Sequence, residues 1–268
     1  MDQKSKAEAF RALHKGPDIL VLPNGWDAAS VALMADAGAR AVATSSAAVA
    51  WAHGYPDGDV LPFAIAVQAI AEMARALPVP LTADIEGGYT DDLGELADNI
   101  SRVIEAGAVG VNLEDGSRDP DLHARKVEAA RKAADKTGVP LFINARVDVY
   151  LRGLAEGEAA FVESVRRAGL YQAAGADGIF VPGPNEDELV GRLAGAIALP
   201  LNLMGRAGLS KAKRLQALGV RRVSSGARPF RAAYSALNRA MIAFLAEGDA
   251  DALAKLDVDL GDLNKRFA

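Results

Sequence analysis

The stretch VPLTADIEGGYT, residues 79–90, decides how this chain is read. Its apolar start reads as a buried strand, yet it ends in Asp84 and Glu86, followed by Gly87 and Gly88. Ionised carboxylates are costly to bury unless they are paired or bind a metal. The period-2 rule for strands puts both acids on one face. The expectation is a strand whose C-terminal end points into a site.

Working outward, the same kind of run recurs along the chain. DILVLPNG (18–25), ARAVATSS (39–46), AVGVNLEDG (108–116), VPLFINARVD (139–148), ADGIFVPG (176–183), LPLNLMGR (199–206) and VRRVSSGA (220–227) join it to make eight. A helical pattern follows each, as AASVALMADAG follows the first and LGELADNISRVIEAG the third. DAGAR, EAGAV, AAGAD and ALGV place Gly where a helix ends, just before a strand. LPVP, TGVP and ALP mark other entries, because Pro ends a helix and tolerates the start of a strand. Near-continuous apolar strands alternating with helices imply a parallel sheet covered by helices. Eight such units predict an α/β fold of the (β/α)8 TIM-barrel type, with residues 1–268 as one barrel domain. The alternative is an open doubly wound sheet, but no GxGxxG follows the first strand.

Composition narrows the function. Of 268 residues, half are hydrophobic, and the net charge is -5. Neither nucleic acid nor an anionic membrane is an expected partner of such a surface. The N-terminus has no apolar leader and no run is long enough to span a bilayer, so a cytoplasmic location is expected. The chain has no Cys, which excludes disulfides, thiolate metal sites and cysteine catalysis. The tail from 230 to 256 reads as a long helical stretch ending near Gly248. It either covers the barrel or packs on another subunit.

In TIM barrels the site lies at the C-terminal strand ends. Asp84 and Glu86 share a face there, as do Asn112 and Glu114, and Asn144, Arg146 and Asp148. Ser45 and Ser46 end the second run, Asn202 the seventh, and the loop after the second adds Asp57 and Asp59. Hard oxygen ligands without His or Cys suit Mg2+ or Mn2+. Arg146 is the natural partner for a substrate carboxylate, which its planar fork can hold with two hydrogen bonds. Other polar residues read as structural. Asp91 and Asp92 look like helix caps, Asp115 a loop residue, Asp148 a partner of Arg146 or a cap, and His14 and His123 solvated. GSRDPD (116–121) is a turn-rich loop over the mouth, read as a lid or simply a loop.

LPNGWDAASVALMADAGARAVATSSAAVA, GYPDGD, TADIEGGY, GVNLEDG, INARVD, AGADGIFVP and LPLNLM occur in that order. On these pieces the chain resembles the isocitrate lyase/phosphoenolpyruvate mutase superfamily over nearly its whole length. The resemblance implies an α/β barrel, usually tetrameric, with a C-terminal helix swapped between neighbouring subunits. It also implies Mg2+ and a small 2-oxo or 2-hydroxy carboxylate ligand. By carry-over, Asp84 would touch the metal, and Asp57, Glu86 and Glu114 would hold metal-bound waters. Ser45, Ser46 and Ala47 would surround the substrate carboxylate and 2-oxo group. Arg146 would bind substrate, and Asn202 matches a position that holds the distal part of larger substrates.

The departures are equally informative. The lyases carry a KKCGH-like loop after the fourth strand, with Cys as acid/base. The mutases carry a K-x-N pattern there, and a His near the end of strand six. This chain reads EDGSRDPDLHARKVEAA (114–130), with VPG at 181–183. The retained half suits a Mg2+-dependent lyase or decarboxylase that breaks a C–C bond through an enolate. Glu86, His53, Tyr55, Arg118 or His123 could supply the acid/base, with Arg146 binding substrate. The alternatives are a P–C bond enzyme, or a 2-oxo-acid binding protein without catalysis.

Overall fold

A computed structural model describes residues 1–255 and 260–267. Its sheet is entirely parallel, in the order β1-β9-β8-β7-β6-β5-β4-β3-β2. The first predicted run is split at Pro23 into β1 (Leu20–Leu22) and β2 (Asn24–Gly25). β1 pairs with β9 (Arg222–Ser224) and β2 with β3 (Val42–Thr44), so one run touches both neighbours and closes the barrel. The remaining strands are β4 (Leu81–Asp84), β5 (Gly110–Glu114), β6 (Phe142–Arg146), β7 (Gly178–Phe180) and β8 (Leu201–Met204). Each falls inside a predicted run and is shorter than it at both ends.

The helices wrap the sheet. They include α2 (Ala28–Asp36), α4 (Phe63–Ala76), α5 (Leu93–Glu105), α6 (Pro120–Thr137) and α7 (Gly157–Ala173), followed by α8 (Asp187–Ala196) and α9 (Ala212–Ala217). The longer ones, such as α4 and α5, bury an apolar stripe. A short α3 (Ser46–Ala52) is inserted after β3. Asp92 caps α5, as expected, by accepting from Glu95 N–H at 2.8 Å. Asp91 does not cap; it pairs with Arg118 and Lys126. Among the described residues no helix is long and apolar enough to cross a membrane.

Two expected surface histidines are core residues. α1 (Gln3–Leu13) packs Phe10 and His14 onto Phe142, with the His14 ring stacked at 4.0 Å. His123 belongs to the buried stripe of α6, with Lys126, Val127 and Ala130, and lies 4.5 Å from the Tyr171 ring. The charged neighbours of His123 hid that 3.6-residue period. Burial pushes both imidazoles down to about 3. The unfolded chain therefore binds more protons below about pH 6.5, and stability falls as pH drops from there toward 3. Each histidine is expected to remove about 2 kcal/mol between pH 7 and pH 5. Urea unfolding at both pH values checks this, with His123→Leu as control. The same acid loss in that variant would exclude the His123 share.

After β9 comes α10 (Arg228–Glu247), of which only Phe230 and Ala240 are buried. Tyr234, Leu237, Ile242 and Leu245 are exposed. α10 ends at Gly248 in a left-handed cap, where the sequence puts the break. The expected tail ran to Leu256, which lies outside the described residues. An apolar groove of about 510 Å³ opens between α2 and the closing strands, lined by Val21, Leu22, Pro23, Met34 and Val223.

Candidate active site

The strand ends meet in a cavity of about 160 Å³, roughly the volume of five liquid waters. Ser45, Ser46, Ala47, Asp57, Asp84 and Arg146 line it, six of the expected site residues. Asn24, Asn112, Leu151, Phe180, Met204 and Ser224 also line it, without having been assigned a role there. The sequence places Asn112 on the face of Glu114, one step deeper, but without a role. Asn202 stands one step below Met204 on the same face and does not itself line the cavity.

Ser45 and Ser46 do not extend their strand. β3 stops at Thr44, and Ser45 caps α3 through its hydroxyl. Thr44 Oγ1 accepts from the Asp84 N–H at 2.8 Å, and Ser46 Oγ donates to Asp84 Oδ2 at 3.1 Å. Asp84 Oδ1 is shut off from solvent and has no hydrogen-bond partner. A lone carboxylate oxygen sealed into a polar cavity is what a hard cation would complete. Burial raises the carboxyls of Asp84 and Asp57, against the pull of Arg146.

The shared face expected for Asp84 and Glu86 is not formed. β4 ends at Asp84, and Glu86 takes a left-handed backbone with φ 52°. Its Oε2 accepts from the backbone N–H of Gly58, at 2.8 Å, and of Asp59. Tyr89 OH donates to its Oε1 at 3.3 Å. Burial pushes the Glu86 carboxyl up to about 7. Asp59 accepts from the Gly87 and Tyr89 N–H groups, both at 3.2 Å, and from Arg118 Nη2 at 2.8 Å. The glycines serve this stitching. A Cβ on Gly87 would lie 2.4 Å from Arg118 Nη1, and one on Gly88, at φ +89°, 2.4 Å from Leu96.

Glu114 and Arg146 are partners across β5 and β6, so their side chains leave on one face and meet at 2.5 Å. Asp148 takes Arg146 Nε at 2.7 Å, the pairing expected for it. Burial works against the Arg146 charge, and Glu114, Asp148 and Asp84 more than offset it. Burial raises the Glu114 carboxyl despite Arg146. The link from β5 to α6 is only residues 115–119. Asp115, read as a loop residue, is fully buried. It takes Tyr171 OH at 2.6 Å, Arg167 Nη1 at 2.8 Å and the Asp148 N–H at 2.9 Å. Arg118 is pinned to Asp91 and Asp59.

Of the residues weighed as acid or base, His53, Tyr55, Glu86, Arg118 and His123, none lines the cavity. Among the described residues no three His, Asp or Glu side chains converge tightly enough to enclose an ion by themselves.

The acids and the locked arginine thus gather at the C-terminal mouth of the α/β barrel, the face where enzymes of this fold carry their sites. Residues 10–245 match the family described as phosphoenolpyruvate phosphomutase. The chain belongs to this family, within the isocitrate lyase/phosphoenolpyruvate mutase superfamily. It is 41% identical to a candidate phosphonomutase from Burkholderia cenocepacia of known structure, with a TM-score of 0.84, covering 87% of this chain and 98% of that one. It is 35% identical to an uncharacterized protein of Mycobacterium tuberculosis, covering 84% of each. It is 29% identical to an oxaloacetate decarboxylase of Pseudomonas fluorescens, covering 81% of this chain and 77% of that one.

Proposed function

We propose that the chain is a Mg2+-dependent enzyme that breaks a C–C bond in small 2-oxo or 2-hydroxy carboxylates. Decarboxylation of an oxaloacetate-like acid is the favoured reaction. The observation that carries this reading is the cavity itself. It holds an unpartnered Asp84 oxygen and a locked Arg146, and none of the weighed acid/base residues lines it. Loss of CO2 asks least of such a site. The C3–C4 bond breaks, its electron pair moves toward the 2-oxo oxygen, CO2 departs, and C3 takes a proton from water to give pyruvate. Breaking the C–C bond of a 2-hydroxy acid needs a placed base as well.

Asp84 would hold the ion directly, and Asp57, Glu86 and Glu114 would act through its waters. When bound, the ion supplies charge to offset what develops on the substrate oxygen. Arg146, fixed by Glu114 and Asp148, holds and orients the substrate carboxylate. Ser45, Ser46 and Ala47 would surround the carboxylate and 2-oxo group, and the buried Phe180 adds apolar wall to the cavity. Asn202 would face only the distal part of a larger substrate.

A P–C bond enzyme is the second reading, favoured by the family description. Against it, residues 115–119 read DGSRD, with neither the Lys nor the Asn of the mutase loop. Oxaloacetate, methylisocitrate, dimethylmalate and phosphonopyruvate offered with Mg2+ separate these readings. Pyruvate from oxaloacetate is expected. Phosphate from phosphonopyruvate would favour the second reading. Calorimetric binding of pyruvate without any turnover would leave a binding protein.

We further propose a homo-oligomer, dimer or tetramer, in which α10 leaves its own barrel for a neighbour's. An exposed apolar face on α10 and an uncovered apolar groove beside the closing strands support this. Leu237→Asp with Leu245→Asp is expected to shift the protein toward monomer in sedimentation. An unshifted oligomer, or a monomeric parent protein, would contradict it.

A further inference from the structure

Arg222 on β9 is 1% exposed and stands inside the barrel. Its Nη2 donates to Asn112 Oδ1 at 3.2 Å, while Nε and Nη1 have no partner. Asn144 Nδ2 donates to the same oxygen at 2.8 Å. β5 pairs Asn112 with Asp84 on one side and with Asn144 on the other.

These contacts fix an orientation by chemistry alone. A guanidinium only donates, so the Asn112 atom that meets it must be the oxygen. The Asn144 atom that meets that oxygen must then be its amide nitrogen. The two donors fill Asn112 Oδ1. Its Nδ2 has no acceptor in the described protein, and Asn112 lines the cavity with Asp84 and Arg146.

We infer that Asn112 donates a hydrogen bond to a carboxylate or 2-oxo oxygen of the ligand, and that Arg222 and Asn144 are positioning residues that keep its amide turned that way. This rests on the reading of the cavity as a 2-oxo-acid site. An amide held by two buried neighbours is a preorganised donor, which needs no rearrangement when the ligand arrives. It also adds no charge beside Asp84. The position of Arg222 acquires a purpose: a buried guanidinium with two unpartnered nitrogens is unfavourable for stability alone.

The test uses the full chain loaded with Mn2+. Water-proton relaxation gives the Mn2+ affinity, and oxalate, a two-carbon diacid, is the ligand probe. Asn112→Asp preserves both contacts to Asn112 Oδ1 and replaces the donor by an acceptor. Oxalate affinity is expected to fall about 10- to 100-fold, the range for one hydrogen bond to an anion, with Mn2+ affinity undiminished. Arg222→Met frees the amide to rotate, and a smaller loss of oxalate affinity is expected, with recovery in Arg222→Lys. That split between ion and ligand is not what loosened packing produces. Should Arg222→Met not fold, Arg222→Lys and Asn144→Leu carry the positioning test. Wild-type oxalate affinity in Asn112→Asp overturns the donor assignment. Wild-type affinity in the folded Arg222 and Asn144 variants overturns the positioning role. No binding of Mn2+ or oxalate by the parent protein removes the 2-oxo-acid reading, and this inference with it.

Discussion

Asp84→Ala is expected to abolish Mg2+-dependent binding of pyruvate while leaving the protein at least as stable as before. Asp84 Oδ1 is sealed off without a partner, and Oδ2 takes the Ser46 hydroxyl. The side chain therefore contributes little to the fold, and burial opposes its charge. Outer-shell changes at metal sites lower metal affinity about 10- to 100-fold, and loss of a direct ligand should exceed that. Calorimetry with Mg2+ and pyruvate, beside a thermal melt, reads both halves. Unchanged ion affinity would contradict the role given to Asp84. A large fall in melting temperature would make it a structural residue instead.

Asp115→Ala is expected to destabilise by about 3–5 kcal/mol, the range for removing one partner of a buried ion pair. Arg167 Nη1, Tyr171 OH and the Asp148 N–H all donate to this carboxylate, and each of these donors would lose its acceptor, although Arg167 keeps Glu163 through Nε. Asp148 holds Arg146, so weaker pyruvate binding should accompany the lost stability. Urea unfolding measures the first effect. A change below about 1 kcal/mol would show that water replaces the network without loss.

These two acids show where sequence reading succeeds and where it stops. The barrel was legible because strand runs recur between helical patterns and helix-ending glycines mark several of their entries, and every strand lies within a predicted run. Asp84 was legible because it is the last residue of its strand, so the period-2 rule still applies to it. Two residues later the rule fails. Glu86 has a positive φ and turns to the amides of Gly58 and Asp59, a contact no local pattern encodes. Asp115 looked like a loop residue because its partners lie 33, 52 and 56 positions away. His14 and His123 looked solvated because the residues beside them are polar, whereas burial followed the helical face. No local pattern marks Gly87 and Gly88 as the places that admit Arg118 and Leu96. Arg222 carried no sequence signal, because its meaning depends on two asparagines from other strands.

The most direct test of the central claim is the release of pyruvate from oxaloacetate by the wild-type protein, in Mg2+ and again in EDTA. Because Mg2+ alone speeds this reaction, the reference is a protein-free Mg2+ blank. Release well above the blank is expected with Mg2+, and none above it in EDTA. A rate equal to the blank in Mg2+, or one that survives EDTA unchanged, would contradict that claim.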